Sequence, residues 1–233
     1  MTEPSELLLI VERATLALAS KLEQLSFLLP ANGDHDPRDD AVRSMAGRAA
    51  HFATACALLA SHLNEDAVVV LNRALLENLI TLLWILENPA NAEAFRIEGL
   101  NELRRAARKS MQKGLLGIID RLTGLDHSQE FLARAEYKKI PKRKTVEDRA
   151  REAGVDDLYC VFYGPLSLEL HGHPLKGIEE PPAAVMCRTL QTINAFLNCT
   201  ALAADNWLSK RNRPSNEQLR GALGLPHDNN APG

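Results

Sequence analysis

The sequence predicts an all-α fold, a multi-helix bundle built around one long buried central helix. Aromatic residues make up only 5% of the 233 residues while Ala and Leu are frequent, whereas strands are enriched in aromatic and β-branched residues. Apolar residues recur at helical spacing, and we find no alternating strand pattern, repeat or Gly-rich phosphate loop. The longest apolar run, AVVVLNRALLENLITLLWIL at 67–86, is typical of a helix enclosed on nearly all sides.

Capping residues and apolar periodicity together predict the long helices in chain order. Ser5 is the expected N-cap of the first helix and Asn64 that of the third. Asn88-Pro89 ends the third helix because the residue before a proline avoids the α region. Gly124 is expected to close the fourth. The predicted long helices run over about 5–29, 38–63, 65–87, 90–122, 127–139 and 182–210.

Shorter helices are predicted before the last long one. Thr145, with Asp148 three residues on, resembles a capping box that opens one of them. Gly164-Pro165 is expected to break the preceding pattern DDLYCVFY, and proline suits the first turn of a new short helix. Gly172 is a natural C-cap for that helix.

The chain is predicted to divide into an N-terminal helix and loop (1–37), a helical bundle domain (38–211) and a flexible tail (212–233). Its four cysteines form no C-x-x-C pair, so we interpret them as buried thiols in a reducing cytoplasm. The acidic N-terminus lacks the positive charge of a signal peptide. Arg73 and Glu77 interrupt the apolar run, which makes a membrane span costly. We therefore expect a cytoplasmic protein with no membrane partner, while a homo-oligomer stays possible.

Basic charge is concentrated between residues 104 and 151. This stretch holds fourteen Lys/Arg and six Asp/Glu, a net charge of +8, which leaves −11 for the remainder. It is either a solvated helix face with a basic loop, or a surface for an anionic ligand or a nucleic acid backbone. Aromatic residues for base stacking are scarce there, so backbone binding is favoured over sequence reading. The candidate anion-binding residues are Arg104, Arg105, Arg108, Lys109, Lys138, Lys139, Lys142, Arg143 and Lys144.

The predicted central helix carries a polar stripe. Arg73 and Glu77 are four residues apart and therefore share a face. Thr81 continues that stripe, and Asn78 lies beside it. A buried arginine and glutamate must pair and have their remaining hydrogen-bonding capacity met by other groups. Those groups come either from a neighbouring helix, which would fix helix register, or from a ligand.

A second concentration of polar residues is YGPLSLELHGHP at 163–174. Ser167 and His171 share a helix face, and His171 falls in a last turn, where the helix dipole favours its charged form. A Ser-His nucleophile is disfavoured because Ser167 lies in no G-x-S-x-G elbow. His171-x-His173 has no evident third or fourth ligand, so we predict no metal and no cofactor.

These two polar segments would supply each other's hydrogen-bond partners if they pack together in the fold. The second segment would then project its side chains toward the stripe of the central helix, and each set supplies partners that the other lacks. The candidate polar cluster or ligand-binding site comprises Arg73, Glu77, Asn78, Tyr163, Ser167 and His171.

The same residues carry a resemblance to a known family. Arg73-x-x-x-Glu77-Asn78 in an apolar helix ending in ILENP, followed by Tyr163-x-x-x-Ser167-x-x-x-His171, resembles an uncharacterised, mainly bacterial family of all-helical proteins, a domain of unknown function. The resemblance covers roughly residues 40–205. It implies a helical fold and a shared polar cluster, with no established activity. The dipeptide GP after the tyrosine departs from the helix-compatible residues expected there.

A looser similarity is to the HEPN helical bundles of toxin–antitoxin and phage-defence systems. Their RNase members carry an R-x(4–6)-H motif, in which arginine and histidine act on the scissile phosphate. Arg121-LTGLD-His127 and Arg220-GALGLP-His227 match this spacing. Both cross Gly-containing turns, and chance matches are expected among seven histidines and many arginines.

Two functions from different classes follow from the sequence. The first is a binding or structural module built around the polar cluster, without demonstrable enzymatic chemistry. The alternative is a HEPN-like RNase or nucleic-acid-associated defence protein that uses His171 or His127 with the basic region. Mutual bonding of the cluster favours the first, and a cleft beside the basic residues favours the second.

Overall fold

The structure is a computed structural model that describes residues 4–29, 36–134, 143–170 and 181–225. They fall into two compact units. Unit 1 comprises Met1–Pro89 and Thr145–Gly233, and unit 2 comprises Ala90–Lys144. The division of the chain into 1–37, 38–211 and 212–233 remains a prediction.

The all-α fold is confirmed, and the described ranges contain no strand beyond an isolated bridge between Ile119 and Asp126. Unit 2 holds most of α4 (Pro89–Gln112) and all of α5 (Ser128–Ala133). The helices of unit 1 are α1 (Pro4–Phe27), α2 (Pro37–Ser61), α3 (Glu65–Glu87), α6 (Val146–Glu152), α7 (Asp156–Leu158), a π-helical turn (Tyr159–Tyr163), α8 (Gly164–Leu170), α9 (Pro182–Lys210) and α10 (Asn216–Ala222).

The core of unit 1 lies between α1, α2, α3 and α9, which pack against one another. Its centre is α3, where Leu75, Leu79 and Leu83 are fully buried. Within the described residues α3 is long and apolar enough to cross a membrane, but 72% of its most apolar window is buried inside the fold. The predicted long buried central helix is therefore confirmed as the core helix of a bundle.

Local capping chemistry explains where several helices begin. The Asn64 side chain accepts a hydrogen bond from the backbone N–H of Ala67 at 3.3 Å, and the predicted capping box of Thr145 and Asp148 is present. Both predictions are confirmed. The prediction for Ser5 is wrong, because α1 begins at Pro4 and Ser5 lies inside its first turn.

The fourth helix is shorter than predicted. It ends at Gln112, since Gly114 adopts φ +68° and the N–H of Leu115 closes onto the carbonyl of Ser110 at 2.9 Å. Glycine reaches this left-handed conformation without a Cβ penalty, which is how it ends helices. Gly124, the predicted stop, instead closes a turn with its N–H on the carbonyl of Asp120 at 2.9 Å.

Two further boundaries differ from the sequence prediction. Helix α5 ends at Ala133, where Arg134 is extended with ψ 144°. The expected break at Gly164-Pro165 does not occur, because Gly164 keeps helical dihedrals and the π-helical turn leads directly into α8. Pro165 does lie in the first turn of α8, as predicted. In a regular α-helix its ring would clash with the carbonyl four residues back, and the wider π-helical turn before it relieves that clash.

Candidate functional site

Helix α3 presents Arg73 and Glu77 one turn apart, on a side that packs against the π-helical turn and α8. Both side chains are half-buried, so they lie less deeply than the apolar run around them predicted. Both are described residues and they make no direct ion pair. A group from the facing segment connects them.

That group is the phenol of Tyr163. Arg73 Nη2 donates to the Tyr163 oxygen at 2.6 Å, and the Tyr163 O–H donates to Glu77 Oε1 at 3.0 Å. The guanidinium also lies 4.8 Å from the centroid of the Tyr163 ring. The ring of Tyr159 stacks on Tyr163 at 4.9 Å with an interplanar angle of 19°. We call Arg73, Tyr163 and Glu77 the Arg–Tyr–Glu cluster.

The surroundings of Arg73 and Tyr163 keep both side chains protonated near neutral pH. Burial, together with the charge of Glu77, raises the pKa of Tyr163, against the opposing effect of Arg73. The hydrogen bond to Tyr163 and the nearby charge of Glu77 raise the pKa of Arg73. The phenol therefore stays a hydrogen-bond donor to Glu77, and Arg73 stays a cation.

Arg73 has hydrogen-bonding capacity that no described residue uses. A guanidinium has five N–H donors, and among the described residues Arg73 uses only Nη2, toward Tyr163. Its Nε is buried and has no hydrogen-bond partner within the described ranges. Chemically, the arrangement is a cation oriented by a neutral phenol and a carboxylate, with donors left for an anion.

The other predicted members of the polar cluster are Asn78, Ser167 and His171. Asn78 is buried and donates from Nδ2 to the carbonyl of Met45 on α2 at 3.0 Å, away from the Arg–Tyr–Glu cluster. Ser167 is half-buried and makes no hydrogen bond to another described residue. His171 lies outside the described residues.

Sequence reasoning missed the most deeply buried cation of the described chain. Arg149 on α6 is fully buried, donates to Thr81 Oγ1 at 3.0 Å and lies 5.0 Å from the centroid of the Trp84 ring. In the sequence it is one of the fourteen basic residues of the stretch 104–151. The sequence did contain a signal of this burial. The spacing of an apolar helix face is found at positions 146, 149, 150 and 153, and arginine occupies one of these four positions.

The basic residues of unit 2 are partly neutralised by their own neighbours. Arg104 donates to Asn101 Oδ1 at 3.2 Å, and Arg105 forms an ion pair with Glu102. Arg108 is half-buried, whereas Lys109 and Arg143 are exposed. The backbone N–H of Lys144 donates to Glu98, and Lys138, Lys139 and Lys142 lie outside the described residues. That they form one anion-binding surface remains a prediction.

Where the structure describes the residues of the two HEPN-like spacings, they pair with acidic side chains or lie on an exposed turn. His127 precedes α5 and bonds Glu130 through Nδ1 at 2.8 Å, while Arg121 is exposed on a turn. Arg220 forms an ion pair with Asp157 at 2.6 Å, and His227 lies outside the described residues. Nothing in the described geometry joins either arginine to a histidine.

The cysteines are not all buried. Burial raises the pKa of Cys56 and of Cys199 to about 12, so both stay protonated thiols. Cys187 is buried too, but Cys160 is exposed on the π-helical turn, so the expectation of four buried thiols is wrong for Cys160. Among the described residues no group of three or more His, Cys, Asp or Glu is placed to hold a metal ion.

A pocket of about 500 Å³ lies elsewhere in unit 1, between the segment 154–158 and α10. Val155, Leu158 and Leu219 form its apolar lining, and the Asp157–Arg220 ion pair lies at its wall. None of its lining residues belongs to the Arg–Tyr–Glu cluster. The sequence offered no signal for it, because the pocket arises from segments about sixty residues apart.

Comparison with known families gives a match over residues 39–178, to the Family of unknown function (DUF5677). The chain belongs to this family. The expected resemblance to a family of unknown function is thereby confirmed, over 39–178 rather than 40–205. The matched region contains all three residues of the Arg–Tyr–Glu cluster. No curated protein and no solved structure matches the chain.

Proposed function

We propose that this DUF5677 protein is a cytoplasmic binding module for a small anionic ligand, with Arg73 as its recognition group. One observation carries the proposal: the Arg73 guanidinium is held by Tyr163 and leaves its other N–H groups without partners among the described residues. If the cluster only fixed the register of the helices, protein acceptors bonded to those donors would make the fold more stable.

The cluster supports a particular class of ligand. Planar guanidinium groups bind carboxylate and phosphate through two parallel N–H donors. Glu77 is nearby and repels an anion that has no donor, so it favours an anion with a hydroxyl or an amine that can donate to it, such as hydrogen phosphate or serine. The stacked rings of Tyr159 and Tyr163 add an apolar wall.

Anions are expected to raise the melting temperature of the wild-type protein through Arg73. With inorganic phosphate or serine as probes at ten times the dissociation constant, binding adds about 1.4 kcal/mol to the free energy of unfolding. For a chain of this size that corresponds to a rise of roughly 3–5 °C. The measurement is thermal denaturation at matched ionic strength in sodium chloride, which separates binding from general salt effects.

Arg73→Gln should abolish this rise, because glutamine keeps much of the side-chain length but loses the charge and the fork of donors. Arg96→Gln is the matched control, since Arg96 is an exposed arginine whose partner is Glu93. A rise of equal size in Arg73→Gln, or none in the wild type with either probe, overturns the proposal.

Tyr163→Phe is expected to lower the free energy of unfolding by about 1–2 kcal/mol. The change removes both hydrogen bonds of the phenol, and the half-buried Arg73 and Glu77 lose the partner that they share. Tyr159→Phe is the control: it keeps the ring stack, and the Tyr159 hydroxyl makes no hydrogen bond to a described residue. Urea denaturation of both variants measures the difference, and equal effects would show that the bridge contributes nothing to stability.

A further inference from the structure

The pocket of unit 1 has the size of a site for a small molecule. Its volume of about 500 Å³ lies within the usual range for such sites, roughly 300–1,000 Å³. One wall is the segment 154–158, which contains α7, and the other wall is α10 together with Leu223, the residue that follows it. Neither wall contributes a residue to the Arg–Tyr–Glu cluster. A ligand in this pocket is therefore distinct from the anion proposed for Arg73.

Hydrogen bonds fix the two walls of the pocket relative to each other. Asn216 Nδ2 donates to the carbonyl of Gly154 at 3.1 Å. Arg220 Nη1 donates to Asp157 Oδ2 at 2.6 Å. Gly154 adopts φ +64°, a conformation that glycine reaches without a Cβ penalty. Because the fold itself ties the walls together, a ligand that enters the pocket has little of the chain to order.

The buried part of the pocket lining is apolar. Val155, Leu158 and Leu219 are each 2–3% exposed. Leu223 also lines the pocket and is only half-buried, so it adds apolar surface that is in contact with solvent. Removing such surface from water is favourable. The pocket therefore favours a ligand that has an apolar body.

The more exposed part of the lining is charged, and its charge is mostly negative. It contains three carboxylates and one guanidinium, a net charge of −2, from Asp156, Asp157, Glu217 and Arg220. Arg220 is paired with Asp157. Asp156 is exposed, and its carboxylate makes no hydrogen bond or ion pair with another described residue. The side chains of the pocket itself therefore attract a cation and repel an anion.

The placement of these carboxylates favours an organic cation over a metal ion. All three belong to the described residues, in which no group of three or more His, Cys, Asp or Glu is placed to hold a metal ion. A metal ion binds oxygen ligands that converge within one coordination sphere. An ammonium group has three N–H donors that point in different directions, so it can bind carboxylates that do not converge.

We propose that this pocket binds an organic cation that carries a primary ammonium group on an apolar body. The ammonium group pairs with Asp156 on the segment 154–158 and with Glu217 on α10, so it contacts both walls. The apolar body packs against Leu223 and the buried apolar lining. The ion pair of Asp157 and Arg220 stays intact, so binding leaves the walls tied together.

The test is a titration of the whole chain with 2-phenylethylamine, followed through the backbone amide signals in NMR spectra. We expect the amides of the segment 154–158 and of α10 to shift, with a dissociation constant of about 1 mM, which is usual for a ligand of this size. The alcohol 2-phenylethanol keeps the body without the charge and should bind about fivefold more weakly. The anion 3-phenylpropanoate should bind more weakly than the alcohol, because the pocket is negative.

Asp156→Asn should weaken the binding of 2-phenylethylamine about fivefold and leave that of 2-phenylethanol unchanged, because it removes a charge and keeps the shape. Asp66→Asn is the matched control, since Asp66 is an exposed aspartate in the first turn of α3, as Asp156 is in that of α7. The proposal is overturned if no amide of the two walls shifts, if the alcohol or the anion binds as tightly as the amine, or if the two variants bind the amine equally.

Discussion

Replacing Arg149 by alanine is expected to lower the free energy of unfolding by about 3–5 kcal/mol. The Arg149 guanidinium is fully buried, donates to Thr81 at 3.0 Å and lies 5.0 Å from the Trp84 ring. Alanine leaves a cavity beside Trp84 and takes the donor from the Thr81 hydroxyl. Urea denaturation at neutral pH, with linear extrapolation, measures the loss.

Arg151→Ala is the matched control for this prediction. Arg151 lies on the same helix, α6, but is exposed and pairs with Glu147 at 2.9 Å, so its loss should change stability by no more than about 0.5 kcal/mol. Arg149→Met adds a second comparison, because methionine refills much of the volume without the charge. If Arg149→Ala costs no more than Arg151→Ala, the buried position of Arg149 is contradicted.

Asp39→Asn is expected to have the second largest effect, a loss of about 2–4 kcal/mol at neutral pH. Asp39 is buried near the start of α2, where it accepts from Trp207 Nε1 at 2.9 Å and forms an ion pair with Arg211. Its other oxygen accepts from the backbone N–H of Asp36 at 3.0 Å. One carboxylate thus joins the start of α2 to the end of α9, and an amide cannot serve all three donors.

The pH dependence of this effect follows from the pKa of Asp39. Burial raises that pKa, but hydrogen bonds from Arg211, the Asp36 backbone and Trp207 outweigh burial and hold it below its ordinary value of 3.8. A carboxylate with a lowered folded-state pKa contributes stability that is present above the unfolded value and lost as pH falls through the folded one. The difference between wild type and Asp39→Asn should therefore be constant above about pH 5 and shrink below pH 3.8.

Asp40→Asn is the control for Asp39. Asp40 is the next residue of α2, but it is exposed and pairs with the nearby Arg43, so its replacement should change stability by about 0.5 kcal/mol or less at any pH. Denaturation curves at neutral pH and at about pH 3 separate the two residues. A loss in Asp39→Asn that stays the same at both pH values contradicts the assigned pKa.

The parts of the fold that were predictable depend on short-range chemistry. Asn64 and the Thr145–Asp148 pair satisfy backbone N–H groups two or three residues away, so a local pattern suffices to place them. The end of α4 was misplaced because Gly114 and Gly124 are equivalent in the sequence. Which glycine ends the helix depends on the turn that follows, where Asp120 binds two N–H groups.

In the candidate site, too, the short-range features were predictable and the contacts between distant segments were not. The four-residue spacing alone places Arg73 and Glu77 on one face of a helix, because that spacing is close to one helical turn. That Tyr163 lies between them, while Asn78 turns to Met45, depends on how the π-helical turn packs on α3. Arg149 and Asp39 were missed because a charged residue is assigned to the surface by composition, and only its partners reveal that it is buried.

The sequence by itself determined the helical class, the central helix α3 and the starts of α3 and α6, where Asn64 and Thr145 are the caps. Those features follow from apolar periodicity and from hydrogen bonds within one turn of the chain. The tertiary structure alone decided which polar side chains meet, such as Tyr163 with Arg73 across ninety positions and Trp207 with Asp39 across 168. Such contacts depend on the packing of whole helices, and a one-dimensional pattern carries no information on the distance between distant segments.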